Sequence, residues 1–99
     1  MPLSADRKKQ YRSIGHNLKP IVTVAGNGLS DSVIEELNRA LNDHELLKVK
    51  LVIADRELRA AVITEMCESV NAELVQQIGK MALLFREAKR PNAKLSNIR

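Results

Sequence analysis

Apolar and polar positions alternate along this chain in two rhythms, one near every fourth residue and one every second, and the changes of rhythm mark its elements. Residues 4–14 carry a sparse helical stripe of Leu3, Tyr11 and Ile14, with Ser4 placed to cap it and Gly15 to stop it. His16 to Pro20 read as a loop, and Ile21-Val22-Thr23-Val24 as a short β-branched strand. A second helix follows from Leu29, Val33, Leu37, Ala40 and Leu41, with Ser32 and Glu35 spaced as a capping box and Asn42-Asp43-His44 at its end. In residues 46–53, Val49, Leu51 and Ile53 alternate with Lys48 and Lys50, the pattern of a strand with one buried face. Asp55 then caps a third helix whose stripe is Leu58, Ala61, Val62, Met66 and Val70, and Asn71 ends it. Residues 72–78 and 81–87 are strands separated only by Gly79-Lys80, which implies an antiparallel hairpin.

The order α-β-α-β-α-β-β predicts one α/β (α+β) domain over residues 1–88, a mixed four-stranded sheet packed with three helices. Its two β-α-β units favour parallel pairing, and the last hairpin adds an antiparallel strand. From Lys89 onward the chain is polar, contains Pro91 and has no pattern, so residues 89–99 are expected to form a mobile basic tail.

Composition narrows the function. With 99 residues, one Tyr, one Phe and no Trp, the core must be aliphatic, and recognition by stacking bases on an aromatic platform is disfavoured. Cys67 is the only cysteine, so neither an intrachain disulfide nor a thiolate zinc site is expected. No apolar stretch approaches the roughly 20 residues of a membrane helix, and the N-terminus lacks a signal-peptide pattern, so a cytoplasmic protein is expected. The net charge of +4 is unevenly placed. Residues 1–24 hold five basic side chains against one acidic, and residues 79–99 six against one, while the stretch between is acidic. Positive charge at both ends suggests a polyanion partner; two solvated basic ends are the plainer reading.

The loop Ala25-Gly26-Asn27-Gly28 joins the first strand to a helix N-terminus. Its glycines allow close backbone approach and positive φ, and the helix offers free N–H groups and the positive end of its dipole, which suit a phosphate. KH modules clamp nucleic acid with a comparable Gly-x-x-Gly loop. The spacing fits neither a Walker loop nor a dinucleotide fingerprint. Two glycines between a strand and a helix also make an ordinary tight turn.

Several runs together carry a family resemblance: Leu18-Lys19-Pro20-Ile21-Val22, Gly28-Leu29-Ser30, His44-Glu45-Leu46-Leu47-Lys48-Val49-Lys50, Val75-Gln76-Gln77-Ile78-Gly79-Lys80 and Leu83-Leu84-Phe85-Arg86. They resemble, in order and over nearly the whole chain, the CRM domain (chloroplast RNA splicing and ribosome maturation) in its stand-alone bacterial YhbY form. The resemblance implies a fold similar to the C-terminal domain of a bacterial translation initiation factor. It also implies RNA binding and association with precursors of the large ribosomal subunit. The family's Gly-x-x-Gly loop falls on residues 25–28, with Ala25 in place of the first glycine and Gly26 at the second position.

The expected RNA contacts are therefore Ala25, Gly26, Asn27 and Gly28 with Lys8, Lys9, Arg12, Lys19, Lys80 and Arg86. Each basic residue has an alternative as a solvated charge. His44 reads as a helix-end cap, Cys67 as a buried small side chain, and Asp55 and Glu57 as helix-start charges, so no nucleophile–base pair stands out. The expectation is a non-enzymatic RNA-binding protein of large-subunit assembly, a monomer needing no cofactor, metal or small-molecule substrate. Docking on a ribosomal protein or translation factor is the alternative.

Overall fold

The computed structural model describes residues 3–25 and 28–99. Among these residues the chain forms α1 (Ala5–Gly15), β1 (Pro20–Ala25), α2 (Asp31–His44), β2 (Leu46–Val52), α3 (Arg56–Val70), β3 (Glu73–Ile78) and β4 (Met81–Phe85). The expected order holds, and the domain is a three-layer α+β structure.

The sheet order is β1-β2-β4-β3. β1 and β2 are parallel, as expected, and β3 and β4 form the antiparallel hairpin. The second β-α-β unit does not pair its own strands, however: β4 lies between β2 and β3 and is antiparallel to both. Burial explains this. Ala82, Leu83, Leu84 and Phe85 are all buried, so β4 needs cover on both faces and a neighbour at each side. β3 carries Gln76 and exposed Gln77 and takes the edge. Gly79 supplies the positive φ (56°) at the first position of the two-residue connection.

One face of the sheet packs on α2 and α3. Val22 and Val24 of β1, Leu47, Val49 and Leu51 of β2, and Ala82 and Leu84 of β4 meet Leu37, Leu41, Val62, Ile63, Met66 and Val70. Each such fully buried aliphatic side chain contributes roughly 1.5–3 kcal/mol relative to exposure. The α3 stripe differs from its expected register: Leu58 is 47% exposed, while Arg59 and Ile63 face inward. Arg59 reaches the interior because its guanidinium donates to the Ile53 carbonyl (2.8 Å). The N-cap of α2 is also displaced, to Ser30, whose Oγ accepts from the Val33 amide. Ser32 lies inside the first turn and contacts the Ser30 hydroxyl instead.

The other face is covered only in part, by α1. Tyr11 stacks obliquely on Phe85 (5.0 Å between centroids) within a smaller cluster of Leu46, Val75 and Leu83. Ser4 caps α1 by accepting from Arg7. Gly15 does something other than stop the helix. It is helical and buried, and a Cβ there would lie 2.6 Å from a Leu83 methyl, so its lack of side chain lets α1 lie close on β4.

Candidate nucleic-acid interface

Strand pairing divides the molecule into two ends. At one, Ala25 is level with Val52, and Ile78 with Met81; at the other, Leu46 is level with Phe85, and Phe85 with Glu73. Leu46 to Val52 spans six steps, about 20 Å at strand spacing. The glycine loop and the Gly79-Lys80 turn lie at the first end, where the Lys80 carbonyl also accepts from Leu51 (2.7 Å). Gly26 and Asn27 lie outside the described residues. Ala25 is a strand residue paired with Val52, a conformation that needs no glycine, whereas Gly28 has φ 89° and does. The Gly28 amide donates to the Ala25 carbonyl (3.0 Å), and the Ser30 cap begins α2 two residues later.

α1 crosses the face between the two ends. Its start is tied to β3 at the far end, where the Leu3 amide donates to both carboxylate oxygens of Glu73. Its last residues border a small cleft with Lys48, Gln76, Ile78 and Met81. Lys9 is exposed, and Lys8 and Arg12 are half-buried. Arg7 lies 6.0 Å from the Tyr11 ring centroid, a cation–π contact. Beyond the reach of α1 the sheet is open. Its outward positions there include exposed Ile21, Thr23, Lys50, Val52 and Ile78 and half-buried Lys48, with no carboxylate among them. Lys19 lies further back, in a cleft with Leu18, Ile21, His44 and Asn97.

Arg86 is not placed as expected. It sits just past β4, far from the glycine loop, and four of its N–H groups are already used. Nη1 donates to Asn38 Oδ1 and the Val70 carbonyl (both 2.7 Å), and Nη2 to the Asn38 carbonyl (3.0 Å) and Asn42 Oδ1 (3.1 Å). It ties the C-terminal turns of α2 and α3 to the sheet, and burial lowers its pKa from the usual value. Its role is that of an internal clamp.

The sequence reading missed Glu45. This residue follows α2 with φ 63°, is completely buried, and accepts from the Ala88 amide (2.9 Å), the Ser96 hydroxyl (2.9 Å) and the Arg99 guanidinium. The Arg99 bond holds its carboxyl down at about pKa 2 against the opposing effect of burial, with the Ala88 and Ser96 bonds adding to the lowering. The tail that was expected to be mobile thus returns to the domain. Asn97 donates from its backbone to the His44 carbonyl (2.9 Å) and from Nδ2 to the Leu46 carbonyl (2.6 Å). The His44 Nδ1–H donates to Leu95 (2.8 Å), and Ile98 packs beside the Tyr11 cluster. No periodicity announces a buried carboxylate 54 residues from its arginine.

Arg56 and Arg59 were also passed over. They line a groove of about 380 Å³ with Gln77 and Gly79, where exposed Arg56 adds a cation to the glycine-loop end while the buried Arg59 is held by the Ile53 carbonyl. Cys67 is half-buried against the main core, and burial and Glu68 raise its pKa. Among the described residues no cluster of His, Cys, Asp or Glu could hold a metal ion, and no helix is long and apolar enough to cross a membrane.

A small α+β domain with a half-open sheet, a basic helix across it and a glycine turn at one end defines the class. The chain belongs to the CRS1/YhbY (CRM) domain family, whose model matches residues 3–86. It is 55% identical over 98 residues to a Pseudomonas aeruginosa protein named as a probable RNA-binding protein, a match covering 99% of this chain and 94% of that one. It is 38% identical over 93 residues to an RNA-binding protein of Haemophilus influenzae, covering 94% of each. The fold is similar to the solution structure of a Staphylococcus aureus protein proposed to bind RNA, with TM-score 0.79 and 29% identity over 90% of this chain and 93% of that one. These names describe binding, and none describes a catalysed reaction.

Proposed function

We propose that this protein is a monomeric, non-enzymatic RNA-binding protein of the cytoplasm that acts on ribosomal RNA in precursors of the large ribosomal subunit. The observation that carries the reading is the open part of the sheet, where the outward Lys48 and Lys50 have no carboxylate among their neighbouring outward positions, on the same face that α1 crosses with its Lys8, Lys9 and Arg12. Cations on a firm framework neutralise phosphates without ordering new backbone. At the glycine-loop end, Gly28, the start of α2 and Lys80 extend this surface with backbone donors and a further charge. With one Tyr and one Phe, and both of these buried against each other, the protein reads RNA by shape, phosphate and 2′-OH contacts more than by base stacking. The names of full-length relatives support RNA as the partner, and the resemblance to stand-alone bacterial CRM proteins supports the ribosomal assignment.

The test is a filter-binding titration with a large-subunit ribosomal RNA fragment at several salt concentrations. Lys8→Glu with Lys9→Glu is expected to weaken binding at least tenfold while leaving the circular dichroism melt nearly unchanged; equal affinity would refute the assigned surface. Crosslinking in cells with sequencing of the attached RNA tests the ribosomal part, since recovery of unrelated RNAs alone would exclude it. The exposed Ile21, Val52 and Ile78 favour one second reading, docking on a protein, which predicts association that survives nuclease treatment.

A further inference from the structure

We propose that residues 88–96 form a second RNA-phosphate contact, a basic loop presenting Lys89, Arg90 and Lys94 and clamped at both feet by the buried carboxylate of Glu45. The proposal rests on the RNA-binding reading and extends it to the far end of the sheet. Its two feet, Ala88 and Ser96, are buried, and each donates to one oxygen of the same carboxylate. Residues 89–95 between them are all exposed. The loop is therefore firmly closed, yet it adds almost nothing to the core.

Its interior is ordered locally. The Asn92 carboxamide oxygen accepts from the Lys94 amide (3.0 Å), and the Asn92 carbonyl accepts from Leu95 (3.0 Å) and Ser96 (2.8 Å). Pro91 fixes one further backbone angle. A loop shaped before binding forfeits little entropy when it meets a ligand. It contains three cations and no acid, so the ligand it suits is an anion.

Two grooves run from this loop to the start of α1, the helix that carries part of the surface already assigned. One, of about 700 Å³, is lined by Lys89 and Arg90, and the next, of about 800 Å³, by Arg7 of α1. They adjoin through Asn71, Arg86 and Glu87. Two carboxylates line this course, exposed Glu87 and half-buried Glu73, the latter accepting from the Leu3 amide, so phosphates would be held by Lys89, Arg90 and Arg7 around them. A continuous strand of phosphates fits this course better than an isolated anion.

Glu45 is here a positioning residue, and this gives an outcome of unusual sign. Glu45→Gln removes a negative charge from a protein that binds a polyanion, so simple electrostatics predicts tighter binding. If Glu45 clamps the loop, binding weakens. The charge-neutral pair Ser96→Ala with Asn97→Ala releases the Ser96 foot and the Asn97–Leu46 bond beside it, and serves should Glu45→Gln not fold. Fluorescence anisotropy with a labelled large-subunit ribosomal RNA fragment reads all variants, each first checked by circular dichroism. Lys89→Ala, Arg90→Ala and Lys94→Ala together are expected to reduce the slope of log affinity against log salt by about 2–3. Ser96→Ala with Asn97→Ala is expected to weaken binding several-fold in the wild-type background and not at all in that triple variant. Loss of equal size in both backgrounds, or an unchanged salt slope in the triple variant, overturns the proposal. So does a triple variant that keeps its RNA affinity and loses binding to a polyglutamate peptide. Wild-type protein that fails to bind RNA refutes the parent reading instead.

Discussion

Glu45 occupies a backbone region that L-residues ordinarily avoid, at φ 63°, and buries a charge there. Either feature alone destabilises, by of order 1–3 kcal/mol for the backbone and several for an unpaired buried ion. The donors from Ala88, Ser96 and Arg99 offset both. Because its pKa falls from 4.5 to about 2 on folding, ionised Glu45 stabilises the fold fully above about pH 4.5. That contribution is lost progressively as pH falls towards 2. Thermal melts of wild-type and Glu45→Gln protein are therefore expected to differ most near neutral pH and to converge between pH 4.5 and 2; a constant difference would contradict the assignment. Arg86 gives a second expectation at this scale. Arg86→Ala strands the Asn38 and Val70 carbonyls and is expected to cost about 2–4 kcal/mol in urea denaturation. Arg86→Lys should recover little of it, because an ammonium cannot span four acceptors set for a fork.

At the scale of the elements, what could be read from the sequence was what local chemistry decides. Ser4 and Asp55 cap helices as their types suggest, Asn71 ends α3 in the left-handed conformation, and Gly79 turns the hairpin. What was hidden depended on partners far along the chain. Leu58 and Arg59 are adjacent, and the Ile53 carbonyl, which takes the Arg59 guanidinium, favours Arg59 as the one that faces inward. The interposition of β4 was in principle legible from its unbroken apolar run beside the glutamines of β3. Of the candidate site, the basic side of α1 and the turn at Gly28 stand where local pattern put them. Arg86 and the tail do not, since their hydrogen bonds join residues 16 to 54 positions apart. Gly15 shows the same limit: its type suggested a helix stop, but Leu83 supplies the reason for it. Gly15→Ala gains helix propensity of up to about 1 kcal/mol and crowds a buried leucine at about 1–3. A net loss near 1 kcal/mol is expected from denaturant titration, and a gain would mean that α1 slides freely on the sheet.

For the molecule as a whole, charge and architecture are arranged separately. The acidic middle of the sequence builds much of α2 and α3 on one face of the sheet, while the basic first and last segments lie along the other face and the far end. The proposed function has an RNA approach from the α1 side. The sheet order has a further consequence, for the time at which the fold can form. The ribosome makes β3 before β4, yet in the finished sheet β3 has no neighbour except β4. Until residue 85 has left the exit tunnel, a nascent chain can hold the β1–β2 pair together but has nowhere to seat β3. Protection from protease in arrested chains should therefore rise in one late step rather than strand by strand. The sheet therefore closes only once β4, the last strand of the described residues, is free to pair.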